Sequence, residues 1–223
     1  MPIPSADHVI AALAVAQDID NHIVETSGEP NVERDFAAGT LGPDVIVRAR
    51  PVPKGYGDLE SLEASFDHEQ MYTRVAVPVF SCRQAKLPAR MRTQRLIAAS
   101  IVHELMHQMQ YASARDSYLQ AVALGRQLQA IRDTGSPTPI DWFDLYYNVP
   151  EELEAHAVQA AAEVYLTPSH GLTEAAFLTQ LATTHVYTRI LGRIAPPGHL
   201  ALAGLPLWLA TFESTAWQAY QSW

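Results

Sequence analysis

Cysteine is nearly absent: Cys82 is the single thiol in 223 residues. One thiol cannot close an intramolecular disulfide, and a zinc site built on several thiolates is excluded with it. Cys82 itself reads as a small buried hydrophobe. Long apolar runs are lacking too, since no stretch reaches the ~18 consecutive apolar residues of a membrane span. Residues 1–24 carry no basic leader and include Asp7, Asp18 and Asp20, which is not the pattern of a signal peptide. Positive charge is scarce, with 15 Lys and Arg against 24 Asp and Glu and a net charge of −9. An acidic chain is a poor match for a nucleic-acid backbone or an anionic membrane. The expectation is therefore a cytoplasmic protein with no nucleic-acid and no membrane partner, with export by a route that needs no signal peptide left open. Internal repeats and low-complexity tracts are also missing.

What is present is an ordinary globular composition, 48% hydrophobic and 17% charged, on a chain long enough to bury a sizeable core. Ser5 is placed to cap a first helix over about 6–25, with Val9, Ile10, Leu13, Ala16 and Ile23 near one face. Gly28 and Pro30 end it, and residues 27–43 read as a loop. Residues 44–50 form a β-branched run that predicts a strand. Residues 71–80 are the best strand in the chain, and Pro78, which has no N–H for a ladder, points to an edge strand or a strand end. An edge there could pair with a peptide by main-chain hydrogen bonds.

A long helical stretch follows over about 90–114. Ala98, Ile101, Val102, Leu105, Met109 and Ala112 make an apolar stripe at 3.6-residue spacing. Leu96, Ala99 and Met106 lie on the other side, so this helix is expected to be covered all round. Helix continues over 115–133, with a bend expected between Ala112 and Asp116. The aromatic run from Trp142 to Tyr147 reads as core within a structured connection. Pro150 suits the first turn of a helix over 151–166, another is expected over 173–194, and a last one over 205–223.

The covered helix carries His103-Glu104-Leu105-Met106-His107. In a helix two histidines four residues apart share one face, so both imidazoles can meet one zinc ion, with Glu104 beside them as a general base. A catalytic zinc takes a third protein ligand. The residues that could supply it downstream are Glu151, Glu152, Glu154, His156, His170 and His185. Helical phase places Glu152, His156, Gln159 and Glu163 on one face. A stripe of small residues, Ala157, Ala160 and Ala161 with Leu153 and Val164, runs beside it and allows a second helix to approach closely.

The pair of blocks, the histidine motif and then Pro150-Glu151-Glu152-Leu153-Glu154-Ala155-His156-Ala157, resembles the gluzincin branch of the zincin metallopeptidases. In that branch a later helix carries Glu-x-x-Ala-Asp, whose first Glu is the third ligand. Laid on this chain the Glu is Glu152 and the Ala is Ala155, while His156 stands where the family has Asp. His156 then either accepts a hydrogen bond from a ligand histidine or displaces Glu152 as ligand. The resemblance implies one Zn²⁺ per chain on His103, His107 and Glu152, with Glu104 as base. Tyr146, Tyr147, His170 and His185 are candidates to stabilise the oxyanion, and a peptide or protein is the expected substrate. It also implies a single zincin-like domain over 1–223, α+β and mostly helical, with a small mixed or antiparallel sheet in about 1–90 and helices over about 91–223. Two other readings share these residues: a zincin-fold protein whose zinc is structural and whose role is to bind a partner, and hydrolysis of another amide such as a peptidoglycan cross-link.

Overall fold

The computed structural model describes residues 3–25, 34–36, 41, 46–52, 62–78, 87–169, 171–199 and 201–223. Cys82, His170, Gly28, Pro30 and residues 79–80 of the expected strand lie outside them. The fold is α+β and mostly helical, and it divides into two compact units, Pro4–Gln108 and a second one made chiefly of Met109–Trp223.

The first unit opens with α1 (Ala6–Glu25). Ser5 caps it, its Oγ accepting the His8 N–H at 3.4 Å. The buried face is Val9, Ala12, Ala16, Ile19 and Ile23, spaced by three and four residues, with Val15 buried beside it. Ile10, expected on that face, is instead 55% exposed. Adding 100° per residue from Val9 brings Ala12 and Ala16 inward and turns Ile10 away, and two small alanines are a weaker hydropathy signal than one isoleucine. Asp20 is fully buried in this unit. It is held there by Arg90, whose Nε and Nη2 donate at 3.0 and 2.7 Å, and by Gln94 Nε2 at 2.7 Å.

The sheet has four strands: β1 (Arg34–Phe36), β2 (Ile46–Val52), β3 (Glu63–Asp67) and β4 (Tyr72–Pro78), in the order β1-β2-β4-β3. β1 runs antiparallel to β2, β2 parallel to β4, and β3 antiparallel to β4. The mixed sheet agrees with the expectation at 44–50 and 71–80, and two further strands were not legible. β1 lies inside the stretch read as a loop, because three residues are too few for an alternation to register. β3 joins β4 through a tight turn in which Asp67 Oδ1 accepts the N–H groups of Glu69 and Gln70, both at 3.0 Å. Met71 completes that turn in the left-handed region at φ 56°.

The edge role of the strand over 71–80 is corrected by this order. β4 is interior, flanked by β2 and β3, and buries Tyr72, Thr73, Val75, Ala76 and Val77. Pro78 is its last residue, opposite Val52. The proline marks a strand end, the second of its two meanings.

The helix α2 (Leu87–Ser113) follows. From Leu96 to Met106 its residues are almost all buried, including Ile97, Ala98, Ala99, Ile101, Val102 and Leu105, so the expectation of an all-round cover holds. It breaks at Ala114 (φ −146°, ψ 58°), within the expected bend, and α3 (Arg115–Thr134) begins at the next residue.

In the second unit a short helix α4 (Pro139–Trp142) is capped by Thr138 and Asp141 in a reciprocal box. It continues without a break into a π turn, Phe143–Tyr147. Then come α5 (Pro150–Tyr165), α6 (Glu174–Leu181), α7 (His185–Ile194) and α8 (Leu205–Ser222). The single helix expected over 173–194 is therefore two. The break has two causes: Thr184 caps α7, its side chain accepting the Tyr187 N–H, and a carboxylate from α5 takes the N–H groups of His185 and Val186. α5 is the hub, packing against α3, α6, α7, α8 and the π turn. Its Ala155, Ala157, Ala160, Ala161 and Ala162 are fully buried, and such small side chains let neighbouring backbones come close. No helix among the described residues is long and apolar enough to cross a membrane.

Candidate metal centre

On α2, His103, Glu104 and His107 are all buried. The i, i+4 spacing brings the two imidazoles into edge-on contact, with ring centroids 4.6 Å apart and planes at 86°. Glu104 is beside them, its Oε1 3.9 Å from His103 Nε2. Two imidazoles and a carboxylate at 4–6% exposure are costly to bury without compensating partners, which is the general reason such clusters occur at metals or catalytic groups.

On α5, Glu152 and His156 are one turn apart, and Oε2 of Glu152 is 3.8 Å from Nε2 of His156. That is too long for a direct hydrogen bond. It is close to the separation of roughly 3.4 Å between two ligand atoms on a tetrahedral ion with 2.0–2.2 Å bonds. The other ring nitrogen, Nδ1, is 3.3 Å from Gln159 Oε1. An amide oxygen only accepts, so this contact favours the tautomer with the proton on Nδ1 and leaves the Nε2 lone pair facing the Glu152 side.

His103, Glu152 and His156 together form a buried group that could hold a metal ion, one ligand atom from each lying within 4.8 Å of the others. The donor set fits zinc: neutral imidazole nitrogens and a carboxylate oxygen are its usual nitrogen and oxygen ligands. His156, at the position where the resemblance has Asp, therefore joins the ligand-type atoms themselves. His107 is the ring next to His103 in the same motif.

The remaining candidates fall in other places. Glu151 accepts a hydrogen bond from Ser117, and Glu154 Oε2 accepts one from Gln110 Nε2 at 3.2 Å. Burial pushes the Glu154 carboxyl above its ordinary pKa, an effect opposed by the Gln110 hydrogen bond and reinforced by Glu151. His185 sits at the first turn of α7, where its backbone N–H donates to Glu163 Oε2 at 2.8 Å. Tyr147 is fully buried and its hydroxyl accepts from Arg193 Nη1 at 2.8 Å. Tyr146 and Tyr147 both pack on the His156 ring, with centroid separations of 5.6 and 5.4 Å.

Two residues at this site carried no functional signal in the sequence. Gln159 shares the face of Glu152 and His156, so its place was legible but its bond to the imidazole was not. Arg193 lies 46 residues beyond Tyr147, and no local pattern links them. No protein-family model matches the chain, and no curated protein or solved structure matches it either.

Proposed function

We propose that this chain is a zinc-dependent metallopeptidase of zincin type, acting on a peptide or protein substrate. The observation that carries this reading is the buried group of His103, Glu152 and His156, beside a motif that adds His107 and Glu104. His103, His107 and Glu152 would hold the ion, with His156 as a further ligand or as the group that orients one. Zinc, when bound, supplies a Lewis acid that polarises a carbonyl and eases deprotonation of water near neutral pH. Glu104 takes the proton of the attacking water and returns it to the amine that leaves as the C–N bond breaks. A proton donor is needed for the oxyanion, and the hydroxyls of Tyr146 and Tyr147, whose rings pack on His156, are the candidates.

Glu104→Gln tests the mechanism. The variant is expected to keep about one zinc per chain and to lose at least ~100-fold in cleavage of a protein substrate, the range of a removed general base. Unchanged cleavage would rule Glu104 out as the base. One observation favours a second reading, a structural zinc in a protein that binds a partner. His156 brings the count of ligand-type side chains to four with His103, His107 and Glu152, and a catalytic zinc keeps an open position. X-ray absorption on the zinc-loaded protein separates the two: three protein ligands and a solvent oxygen support catalysis, four protein ligands support the structural reading.

A further inference from the structure

The ring of His156 is held by a device that extends beyond the metal-ligand helix. Trp142 ends α4, and Tyr146 and Tyr147 end the π turn. The turn closes with the Asn148 N–H donating to the Phe143 carbonyl at 2.8 Å, the five-residue step that widens a helix locally. The wider turn rotates successive side chains less than an α-helix does, so two adjacent tyrosines both reach one imidazole. Trp142 stacks on Tyr147 with centroids 5.9 Å apart and planes at 28°. Behind this pair stands Arg193 of α7. Its guanidinium lies 4.5 Å from the Trp142 ring centroid, and its Nη1 donates to the Tyr147 hydroxyl. The Tyr147 carbonyl is fixed as well, accepting the Trp208 Nε1–H of α8 at 2.7 Å. A π turn in a short helix costs hydrogen-bond quality, and such turns concentrate at functional sites.

We propose that Arg193 is a positioning residue of the metal centre, acting through Tyr147 on the ring of His156. The inference rests on the zinc reading above and adds to it the groups that fix one ligand-type ring. Gln159 sets which nitrogen of His156 carries the proton. Arg193, by anchoring both Trp142 and Tyr147, sets where the ring lies. Outer groups of this kind orient a ligand and tune affinity, and their loss commonly weakens metal binding by ~10–100-fold.

The test uses the full chain, zinc competition against a chromophoric chelator, and the visible absorption of the cobalt-substituted protein, which reports ligand geometry. Arg193→Gln and Tyr147→Phe are each expected to weaken zinc binding by about tenfold and to shift the cobalt bands. The double variant is expected to be no weaker than either single one, because both act through one contact. Arg193→Lys, which keeps a cation and a donor, is expected to recover part of the affinity. Tyr147→Phe keeps the buried ring and so stays informative if Arg193→Gln fails to fold. Wild-type zinc affinity and cobalt spectrum in both Tyr147→Phe and Arg193→Gln would overturn the inference while leaving the zinc reading intact. A wild-type chain that takes up no zinc would overturn the zinc reading, and this inference with it.

Discussion

At the scale of single residues, the buried carboxylates of Asp20 and Glu163 both accept hydrogen bonds. Glu163 is 8% exposed and gives its two carboxylate oxygens to the backbone N–H groups of His185 and Val186, at 2.8 and 3.1 Å. These are two of the orphan donors at the start of α7, and the positive end of the helix dipole lies beside them. Charge-assisted hydrogen bonds are the stronger kind. Glu163→Ala is expected to destabilise the protein by about 2–4 kcal/mol, and Glu163→Gln, which keeps one acceptor, by about 1 kcal/mol. Urea unfolding measures both, and an effect below about 0.5 kcal/mol for Glu163→Ala would mean that solvent serves those N–H groups equally well. The sequence placed Glu163 on the face of Glu152 and His156. Its actual role was not legible, because a cap supplied from 22 residues upstream leaves no local pattern.

At the scale of elements, α5 and α7 show two kinds of dependence on their neighbours. The buried alanines of α5 match the stripe expected from Ala157, Ala160 and Ala161. They leave no room for a larger side chain, so Ala161→Leu is expected to cost roughly 1–3 kcal/mol by overpacking, read as a lower urea midpoint at unchanged slope. Tyr187 of α7 donates its hydroxyl proton to Glu213 of α8 at 3.2 Å. Burial, followed by the Glu213 charge and this hydrogen bond, pushes the phenol up to about 12. The folded pKa is raised above the unfolded value of about 10. This group therefore contributes stability in full below pH ~10, and that stability is lost as pH rises towards ~12. Ultraviolet titration should show one tyrosine ionising late, and Tyr187→Phe should remove that step and flatten the alkaline decline in stability. The helices themselves were legible from capping and periodicity, at Ser5, at Pro150 and across 90–114. The split between α6 and α7 was not, since Glu163 and Thr184 jointly make it.

At the scale of the whole molecule, a ligand that binds only the folded chain stabilises it by mass action. On the proposed zinc reading, the ion should therefore raise the unfolding free energy by about 2.7 kcal/mol at a free concentration 100 times its dissociation constant. Chelation should reverse the gain. Calorimetry with and without zinc checks this, and a melting temperature indifferent to zinc would argue against a folded-state site. His103→Ala should abolish the response. Charge acts at this scale too. A net charge of −9 raises the local concentration of cations around the protein and opposes association with polyanions.

Local physical chemistry was enough to place the long helices, the two longest strands and the motif that puts His103 and His107 on one face. Each depends on spacing within about ten residues, where periodicity and capping act. Tertiary structure alone decided three things. It made β4 an interior strand by pairing it with β2 and β3, which a proline pattern cannot register. It placed the rings of Tyr146 and Tyr147 on that of His156. It also set Arg193 against Tyr147 and Trp142. Contacts between residues tens of positions apart form only when the chain has folded, so neighbouring letters carry little trace of them. Four-residue spacing alone sets the ring of His103 beside that of His107, whereas the contact of Arg193 with Tyr147 needs the folded chain.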